Sequence, residues 1–447
     1  MPRNQTNRTV AYYQGQRLAD AVFMQHVVQA RSKLHTQPQS SVAKAQGKVL
    51  NLCEDHYHFL VLFTAAMLEN HITVMPANRS AGEIARLMKV DPGMRVVSDE
   101  DVILICQSRQ SNKREPLSRD VLRQVPQDAL VAELYTSGST GIPTANYKRW
   151  GELVHGAVRV AARFELNRDA QHVVVATVPP QHMFGFEMSV VLPLVCGVVL
   201  HHGKPFYPED IQSALQSVPE KRMLVTTPIH LKACVTLKSG WPKIDFILSS
   251  TAALRKDIAE AATAVMRAPV REIYGCSEIG AIATRTLVEN DSWELLGDFQ
   301  LDIAGEEARL KSGILAEPLL LSDRIAVESD GRFRLVGRAA DLIKIGGKRG
   351  SLNELTLRIK AIPGVEDAIV FLPPRKELKR ERLVALVVAP GMSAKEIRKQ
   401  IGHDIDAVFL PRQIYLVAKL PYNPTGKLPQ AELLALLEAN QKKAKAC

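Results

Sequence analysis

The chain has 447 residues, 46% of them hydrophobic and 23% charged, a balance typical of a globular protein with two or three domains. Its formal net charge of +10 suits a phosphate-rich ligand or an acidic partner. Nucleic acid is disfavoured as a ligand, because only 5% of the residues are aromatic and no recognition motif is present. The basic runs 375–382 and 442–445 are predicted to be solvated surface.

The cysteines and the N-terminus predict a cytoplasmic protein. Six cysteines form neither a CxxC pair nor a zinc-like spacing, which favours reduced thiols. The first residues, MPRNQTNRTVAYYQGQ, lack the apolar segment of a signal peptide. The longest apolar run, residues 190–200, contains Pro and Gly and is too short to span a bilayer.

Strands and helices alternate through the first 280 residues. Residues 17–35 have helical spacing, and helices are also expected at 58–68, 79–90 and 187–197. Strand-like apolar runs lie at residues 48–53 and 71–78, and the same rhythm follows at 95–106 and 130–141. Further apolar strands that end in polar turns or loops are expected at 172–180, 222–228, 245–252 and 270–278. This alternation predicts an α/β fold with large, mainly parallel sheets.

The texture changes after residue 295, where short alternating strands precede a turn-rich segment, GRAADLIKIGGKRGS (337–351). The last hundred residues then read as a compact α+β unit. We therefore predict an N-terminal domain over residues 1–337, a hinge at 338–341 and a small mobile C-terminal domain over 342–447.

Polar residues follow several of the predicted strands, which is where α/β sheets bind ligands. The segments 136–141, 249–252 and 275–278 are thus candidates for one shared site. The first of them, TSGSTG, offers backbone amides and hydroxyls that can cradle a phosphate, although it is no Walker loop and an ordinary polar turn is the alternative. Lysine is absent just after Pro143, where Thr144 stands, and whether Lys148 contacts phosphate or faces water stays open.

Three further segments contain residue types suited to a nucleotide. In EIYGCSEIG (272–280), Glu278 is a candidate Mg²⁺ ligand and Tyr274 can stack on a base. Asp323 and Arg338 suit a ribose diol and a phosphate, and the turn LPYNPTGKLP (420–429) presents Lys427. Each of these residues alone also fits an ordinary surface or helix-end position.

Together and in order, the segments resemble the adenylate-forming superfamily of acyl- and aryl-CoA synthetases, peptide-synthetase adenylation domains and luciferases. The family motifs [YF]TSG[ST]TGxPKG, YGxTE, TGD, GRxDDxIKxxGxR and PxxxxGK match here at Tyr135–Pro143, Tyr274–Glu278, Leu321–Asp323, Gly337–Arg349 and Pro421–Lys427. The resemblance runs from about residue 45 to 438. PPQHMFGFE (179–187), TTPIHL (226–231), SSTAAL (249–254) and KRGSLNEL (348–355) further resemble the synthetase-like proteins of bacterial aryl polyene and xanthomonadin-type pigment clusters.

The resemblance implies ATP-dependent activation of a carboxylic acid to an acyl-adenylate, then transfer to the thiol of coenzyme A or of a carrier protein's phosphopantetheine. It implies Lys427, Glu278 and Ser277 as catalytic residues, with Mg²⁺ held by Glu278 and Thr140. The implied nucleotide-binding residues are Thr136, Ser137, Gly138, Ser139, Thr140, Gly141, Thr251, Ala252, Tyr274, Gly275, Asp323 and Arg338. The acid pocket would be lined by His182, Phe184, Gly185 and Ser250, and the thiol tunnel by Gly346 and Gly347.

The family rotates its C-terminal domain between the two half-reactions, and three departures from its motifs bear on activity. Thr144 replaces the loop lysine, Ala340 stands at the usual hinge acid or lysine, and the TGD motif is reduced to Leu-Ser-Asp. These departures leave open an alternative, a non-catalytic protein of the same fold that binds nucleotide or acyl-adenylate. The apolar residues Met183, Phe184, Phe186 and Met188 favour an aryl or medium acyl acid, and the acceptor, coenzyme A or carrier protein, stays open.

Overall fold

The structure is a computed structural model that describes residues 8–35, 46–108, 117–137, 143–166, 171–219, 221–305, 307–338, 342–345, 348–373, 383–402, 409–423 and 428–446. Two compact units are present, one built from residues up to Gly297 and one from Asp298 onward. Within the described ranges, no helix combines the length and the apolar character that crossing a bilayer requires.

The first unit contains two sheets and the helices that cover them. Its strands are β1 (Thr9–Tyr13), β2 (Gln16–Ala19), β3 (Lys48–Asn51), β4 (Ile72–Met75), β5 (Arg95–Val97), β6 (Leu130–Ser137), β7 (Pro143–Arg149), β8 (Val173–Ala176), β9 (Val199–His201), β10 (Arg222–Thr226), β11 (Phe246–Ser249), β12 (Val270–Cys276), β13 (Gly280–Arg285) and β14 (Glu294–Leu295). Its helices are α1 (Asp20–His35), α2 (His56–Leu68), α3 (Ala81–Val90), α4 (Asp99–Gln107), α5 (Trp150–Arg163), α6 (Met183–Phe186), α7 (Leu192–Cys196), α8 (Pro208–Gln216), α9 (Pro228–Cys234) and α10 (Lys256–Met266).

Both sheets of this unit are mainly parallel, as the alternating pattern predicts. Over the described residues, one has the order β14-β13-β12-β11-β10-β8-β9-β1-β2 and the other β5-β3-β4-β6-β7. The neighbours from β12 through β1 pair in parallel, as do β5, β3, β4 and β6. All four residues of β8 and of β11 are buried, because a parallel strand is covered on both faces.

The predicted helix over residues 17–35 begins later than its spacing suggests. Residues Gln16–Ala19 form β2, which pairs with β1 in an antiparallel hairpin. The two turn residues Gln14 and Gly15 have φ values of 50° and 77°. Positive φ at both central residues gives the tight turn that matches the twist of a β-hairpin, and the helix therefore starts at Asp20.

The second unit is α+β, as predicted for the end of the chain. Its strands are β15 (Gln300–Ala304), β16 (Glu307–Lys311), β17 (Leu319–Leu320), β18 (Asp323–Val327), β19 (Phe333–Arg338), β20 (Leu342–Ile345), β21 (Lys348–Ser351), β22 (Asp367–Phe371), β23 (Val384–Val388) and β24 (Gln413–Leu416). Its helices are α11 (Leu352–Lys360), α12 (Ala394–Ile401) and α13 (Gln430–Ala446).

The strand β23 is the centre of this unit's core. Alternate residues of a strand point to opposite faces. Ala385 and Val387 pack with residues of α11 and α12, such as Ile359 and Ile397, while Leu386 packs with residues of α13. Residues 298–337 belong to this unit, whereas residues 339–341 of the predicted hinge lie outside the described ranges. A functional domain boundary at 338 stays a prediction.

Candidate active site

The predicted phosphate loop connects the two strands of a hairpin. Strands β6 and β7 pair antiparallel, with Thr136 opposite Thr144 and Ser137 opposite Pro143. The Nδ2 of Asn146 donates to Thr136 Oγ1 over 3.3 Å. Residues 138–142 lie outside the described ranges, so the predicted ligands Gly138, Ser139, Thr140 and Gly141 do too.

A buried carboxylate supports the base of this hairpin. Glu133 of β6 is 2% exposed and accepts from Lys48 Nζ at 2.6 Å and from the Tyr135 hydroxyl at 2.6 Å. Arg86 lies over the Tyr135 ring, 5.3 Å from its centroid. These contacts fix the strand that leads into the loop.

The second and third predicted segments meet at the ends of two adjacent parallel strands. Ser249 ends β11 opposite Glu272 of β12, and the Ser250 hydroxyl donates to the Ile273 carbonyl over 2.8 Å. Thr251 follows with φ of 81°, an unusual conformation for a threonine, and Ala252 is exposed. The strand ends that lead into segments 249–252 and 275–278 are therefore adjacent, and that the two segments share a ligand stays a prediction.

Beyond this junction, β12 continues into a tight turn that ends in Glu278. The Tyr274 ring is buried and lies 5.7 Å from the Trp293 ring, between centroids. A bulge follows Tyr274, and a Cβ on Gly275 would lie far inside van der Waals contact with the Gly280 carbonyl oxygen, so this close approach requires glycine. Burial and the Glu278 carboxylate, which accepts a hydrogen bond from the thiol, raise the pKa of Cys276 to about 12. The Glu278 side chain is exposed.

Lys148 is buried and does not face water. Its side chain is 1% exposed, and its Nζ donates to the main-chain carbonyl of Glu278. Burial lowers the pKa of this amine, and nearby acidic groups, among them Glu278 and Glu187, oppose the shift. Strand β7 of the hairpin and the Glu278 turn are thus joined directly, while residues 138–141 of the first predicted segment lie outside the described ranges.

Glu187 is a functional candidate that the sequence reading missed. It begins a π-helical turn, Glu187–Val191, that connects α6 to α7, and such turns are frequent at functional sites. The carboxylate is 3% exposed, and its Oε2 accepts from the Ala281 N–H over 3.0 Å. Burial raises its pKa to about 7, against the opposing effects of Lys148 and Arg159. The available signal was a lone acidic residue inside an apolar run.

The shifted pKa of Glu187 predicts a pH-dependent stability. Because its folded pKa lies above its ordinary value, the folded state holds the proton longer than the unfolded state, and this group's contribution falls as pH rises from about 4.5 to 7. The Glu187→Gln variant should gain stability relative to wild type over that interval, by at most about 1.4 kcal/mol per pH unit. Urea unfolding at several pH values measures the difference, and a difference independent of pH would contradict the prediction.

Three of the predicted acid-pocket residues, His182, Phe184 and Gly185, lie at α6, which follows β8, whereas Ser250 follows β11. His182 precedes the helix, and its Nδ1 accepts from the Phe184 N–H over 3.3 Å. Phe184 and Gly185 are buried. A Cβ on Gly185 would lie 2.9 Å from the Pro179 carbonyl carbon and closer still to its oxygen, so the backbone there is packed against backbone.

Replacing Gly185 with alanine should therefore destabilise the first unit. The new methyl group would displace the Pro179 backbone, and overpacking of this kind costs on the order of 2 kcal/mol. Chemical denaturation measures the loss. Gly82→Ala in α3 is the matched control, because no atom lies within 4 Å of the added Cβ, and it should leave stability unchanged or slightly raised. Equal stability of the two variants would contradict the prediction.

The remaining predicted site residues belong to the second unit or lie outside the residues that the structure describes. Asp323 and Arg338 are direct backbone partners in the β18–β19 hairpin, and that they share a ligand stays a prediction. Gly346 and Gly347, between β20 and β21, and Lys427 lie outside the described ranges. Within the described residues, no cluster of three His, Cys, Asp or Glu side chains forms a metal site by itself. A single exposed carboxylate such as Glu278 fits Mg²⁺, which usually takes one or two carboxylates plus phosphates and water.

Known proteins resemble this chain in sequence and in fold. The chain is 28% identical over 303 residues to a 4-coumarate–CoA ligase of Halorhodospira halophila, covering 66% of this chain and 73% of that protein. It is 24% identical over 309 residues to the 3,4-dihydroxybenzoate–[aryl-carrier protein] ligase of Bacillus anthracis, covering 66% and 71%. The solved structure of the o-succinylbenzoate coenzyme A synthetase of Bacillus subtilis with AMP has the same fold, with a TM-score of 0.79, 19% identity and coverage of 96% and 95%.

Family models give the same result over most of the chain. The model described as AMP-binding enzyme matches residues 41–312, which is more than half of the 447 residues. The model described as AMP-binding enzyme C-terminal domain matches residues 358–427. The chain therefore belongs to the AMP-binding enzyme family of adenylate-forming acyl- and aryl-CoA ligases.

Proposed function

We propose that this protein activates an aryl or medium acyl carboxylic acid with ATP, forming an acyl-adenylate, and then passes the acyl group to a thiol of coenzyme A or of a carrier protein. The observation that carries the proposal is the convergence of the phosphate-loop hairpin, the Ser250 segment and the Glu278 turn, joined by the Ser250–Ile273 and Lys148–Glu278 hydrogen bonds. These bonds link strand β7 of the hairpin, the Ser250 segment and the Glu278 turn, the parts of this unit to which the resemblance assigns the binding of ATP.

In the first half-reaction, the acid's carboxylate attacks the α-phosphate of ATP and pyrophosphate leaves. The hydroxyls and amides of residues 136–141 would hold the leaving phosphates, and Ser277 would contact the α-phosphate. Mg²⁺, held by Glu278 and Thr140, would supply charge neutralisation on the phosphate oxygens. Lys427 would contact the substrate carboxylate and the α-phosphate, where it counters the charge that builds in the transition state.

The resemblance assigns the nucleoside to residues within 251–275 and 323–338. Tyr274 and Gly275 would form one wall for adenine, and Thr251 and Ala252 the other. Asp323 would accept from the ribose hydroxyls, with Arg338 beside it. In the second half-reaction, the C-terminal domain would rotate about residues 338–341, replace Lys427 by the loop of Gly346 and Gly347, and admit the pantetheine thiol.

The proposed acid is aryl, on two kinds of support. The relatives named above include a 4-coumarate–CoA ligase and a 3,4-dihydroxybenzoate–[aryl-carrier protein] ligase, both named for planar aryl acids. The residues that would line the acid pocket beyond His182 are buried and apolar, as in Met183, Phe184 and Phe186. A hydroxybenzoate or cinnamate type of acid fits this support and the resemblance to pigment-cluster synthetases.

A pyrophosphate-release screen tests the proposal. Purified protein, ATP and Mg²⁺ are mixed with a panel of hydroxybenzoates, cinnamates and fatty acids, and the active acids are then offered coenzyme A or a phosphopantetheinylated carrier protein. We expect release that depends on both Mg²⁺ and an aryl acid, followed by thioester formation. Binding of ATP without release by any acid of the panel would contradict the proposal and favour the non-catalytic alternative.

A further inference from the structure

Two buried ionisable side chains hold the turn that presents Glu278, one from each side. Lys148 Nζ donates to the Glu278 carbonyl, within the turn itself. Glu187 Oε2 accepts from the Ala281 N–H at 3.0 Å, just after the turn has re-entered β13. The two contacts bracket residues 278–281 and come from elements distant in sequence, β7 and the π-helical turn.

The surroundings of Glu187 leave room for its carboxylate. A Cβ on Gly156 of α5 would lie 2.9 Å from Glu187 Oε1, and one on Gly280 would lie 3.0 Å from the same oxygen. Gly280 also has φ of 93°, a conformation that disfavours any other residue. Glycine therefore stands at two positions next to this carboxylate, where a larger residue would clash with it.

Burying the ionisable groups of Lys148 and Glu187 is costly, because desolvation of a buried ion often outweighs its attraction to a partner. Lys148 is 1% exposed and Glu187 is 3% exposed. Apolar residues of similar volume often replace such groups with no loss of stability. Apolar residues in place of Lys148 and Glu187 could keep the packing. They could not form the hydrogen bonds to the main chain of the turn.

We propose that Lys148 and Glu187 are positioning residues that fix the Glu278 turn in the geometry required for Mg²⁺·ATP. This inference rests on the proposed function, in which the Glu278 carboxylate holds the metal. The backbone of Glu278 is anchored through its carbonyl, while its exposed side chain stays available to the metal. Groups that orient a metal ligand commonly change metal affinity or activity by about 10- to 100-fold when they are removed.

Paired substitutions separate positioning from packing. Lys148→Met and Glu187→Leu remove the hydrogen bonds to the turn and keep similar volumes. Lys148→Arg and Glu187→Gln keep a donor and an acceptor. Arg31→Met is the control, because it removes a side-chain contact of another part of this unit, the 2.6 Å hydrogen bond from Arg31 of α1 to the Glu69 carboxylate at the end of α2. For each variant, thermal unfolding and calorimetric ATP binding are measured over a series of Mg²⁺ concentrations.

We expect the Mg²⁺ concentration that gives half-maximal ATP binding to rise at least about tenfold in Lys148→Met and Glu187→Leu. It should stay near the wild-type value in Lys148→Arg, Glu187→Gln and Arg31→Met. If one of the apolar variants does not fold, the other decides, since each removes one of the two contacts. If neither folds, the two groups serve the fold and the proposal is overturned.

Two results overturn the proposal in distinguishable ways. A folded Lys148→Met and a folded Glu187→Leu with the wild-type Mg²⁺ dependence would refute positioning and leave the proposed function intact. A wild type whose ATP binding does not respond to Mg²⁺ would remove the metal role of Glu278, and with it this inference. Because the assay measures binding, neither result depends on which acid is the substrate.

Discussion

Replacing Lys427 with alanine is expected to lower acid-dependent pyrophosphate release by about 100- to 1000-fold, the range found when one donor that stabilises transition-state charge is removed. ATP affinity should change little, because an interaction made mainly in the transition state adds little to ground-state binding. Calorimetric ATP titration and a pyrophosphate-release assay, run on the same preparation, measure the two quantities.

The Lys427 variant also distinguishes the two half-reactions. Thioester formation from a supplied acyl-adenylate should proceed in Lys427→Ala, since the proposed rotation moves this lysine out of the site before the thiol attacks. Lys419→Ala is the control, an exposed lysine of the same unit that should leave both half-reactions unchanged. Equal loss of both half-reactions in Lys427→Ala, or no loss of the first, would contradict the assigned role.

Replacing Glu278 with glutamine is expected to lower pyrophosphate release by about 100-fold and to require more Mg²⁺ for the activity that remains. The amide keeps the size of the side chain but loses the negative charge that a hard divalent cation prefers. Initial rates over a Mg²⁺ series, with the active acid in excess, measure both effects.

Glu289→Gln is the matched control for this substitution, because Glu289 is an exposed glutamate that follows β13 of the same sheet. It should behave as wild type. If Glu278→Gln loses activity but keeps the wild-type Mg²⁺ dependence, Glu278 acts on the turn or on the substrate and not on the metal.

The parallel core of the first unit could be predicted because its physical demands are local. A strand buried on both faces requires a continuous apolar run, and such runs stand at β8, β10 and β11. The polar residues that follow β11 and β12 could be assigned to one edge for the same reason. The positive φ at Gln14 is not predictable from the sequence, because glutamine has no special preference for it. The helical spacing of residues 17–35 therefore gives no sign of the turn or of β2.

The burial of Lys148 and Glu187 could not be predicted, because it depends on contacts between residues that are distant in the sequence. Lys148 lies 130 residues from the carbonyl it contacts, and Glu187 lies 94 residues from the amide that donates to it. In a local reading, a lysine after a polar loop belongs at the surface, where lysines usually lie. Only the meeting of β7 with the β12–β13 turn places it inside.

The raised pKa of Cys276 affects how readily the protein's own thiol would be acylated by an acyl-adenylate. An acyl-adenylate is a strong electrophile, and a thiolate two residues from Glu278 would compete with the intended acceptor for the acyl group. Thiolate is the nucleophilic form of cysteine. Burial raises the pKa of Cys276 far above neutral pH and keeps the thiol in its protonated, poorly nucleophilic form. For a protein that forms acyl-adenylates, the burial of Cys276 would therefore disfavour acylation of its own thiol in place of the intended acceptor.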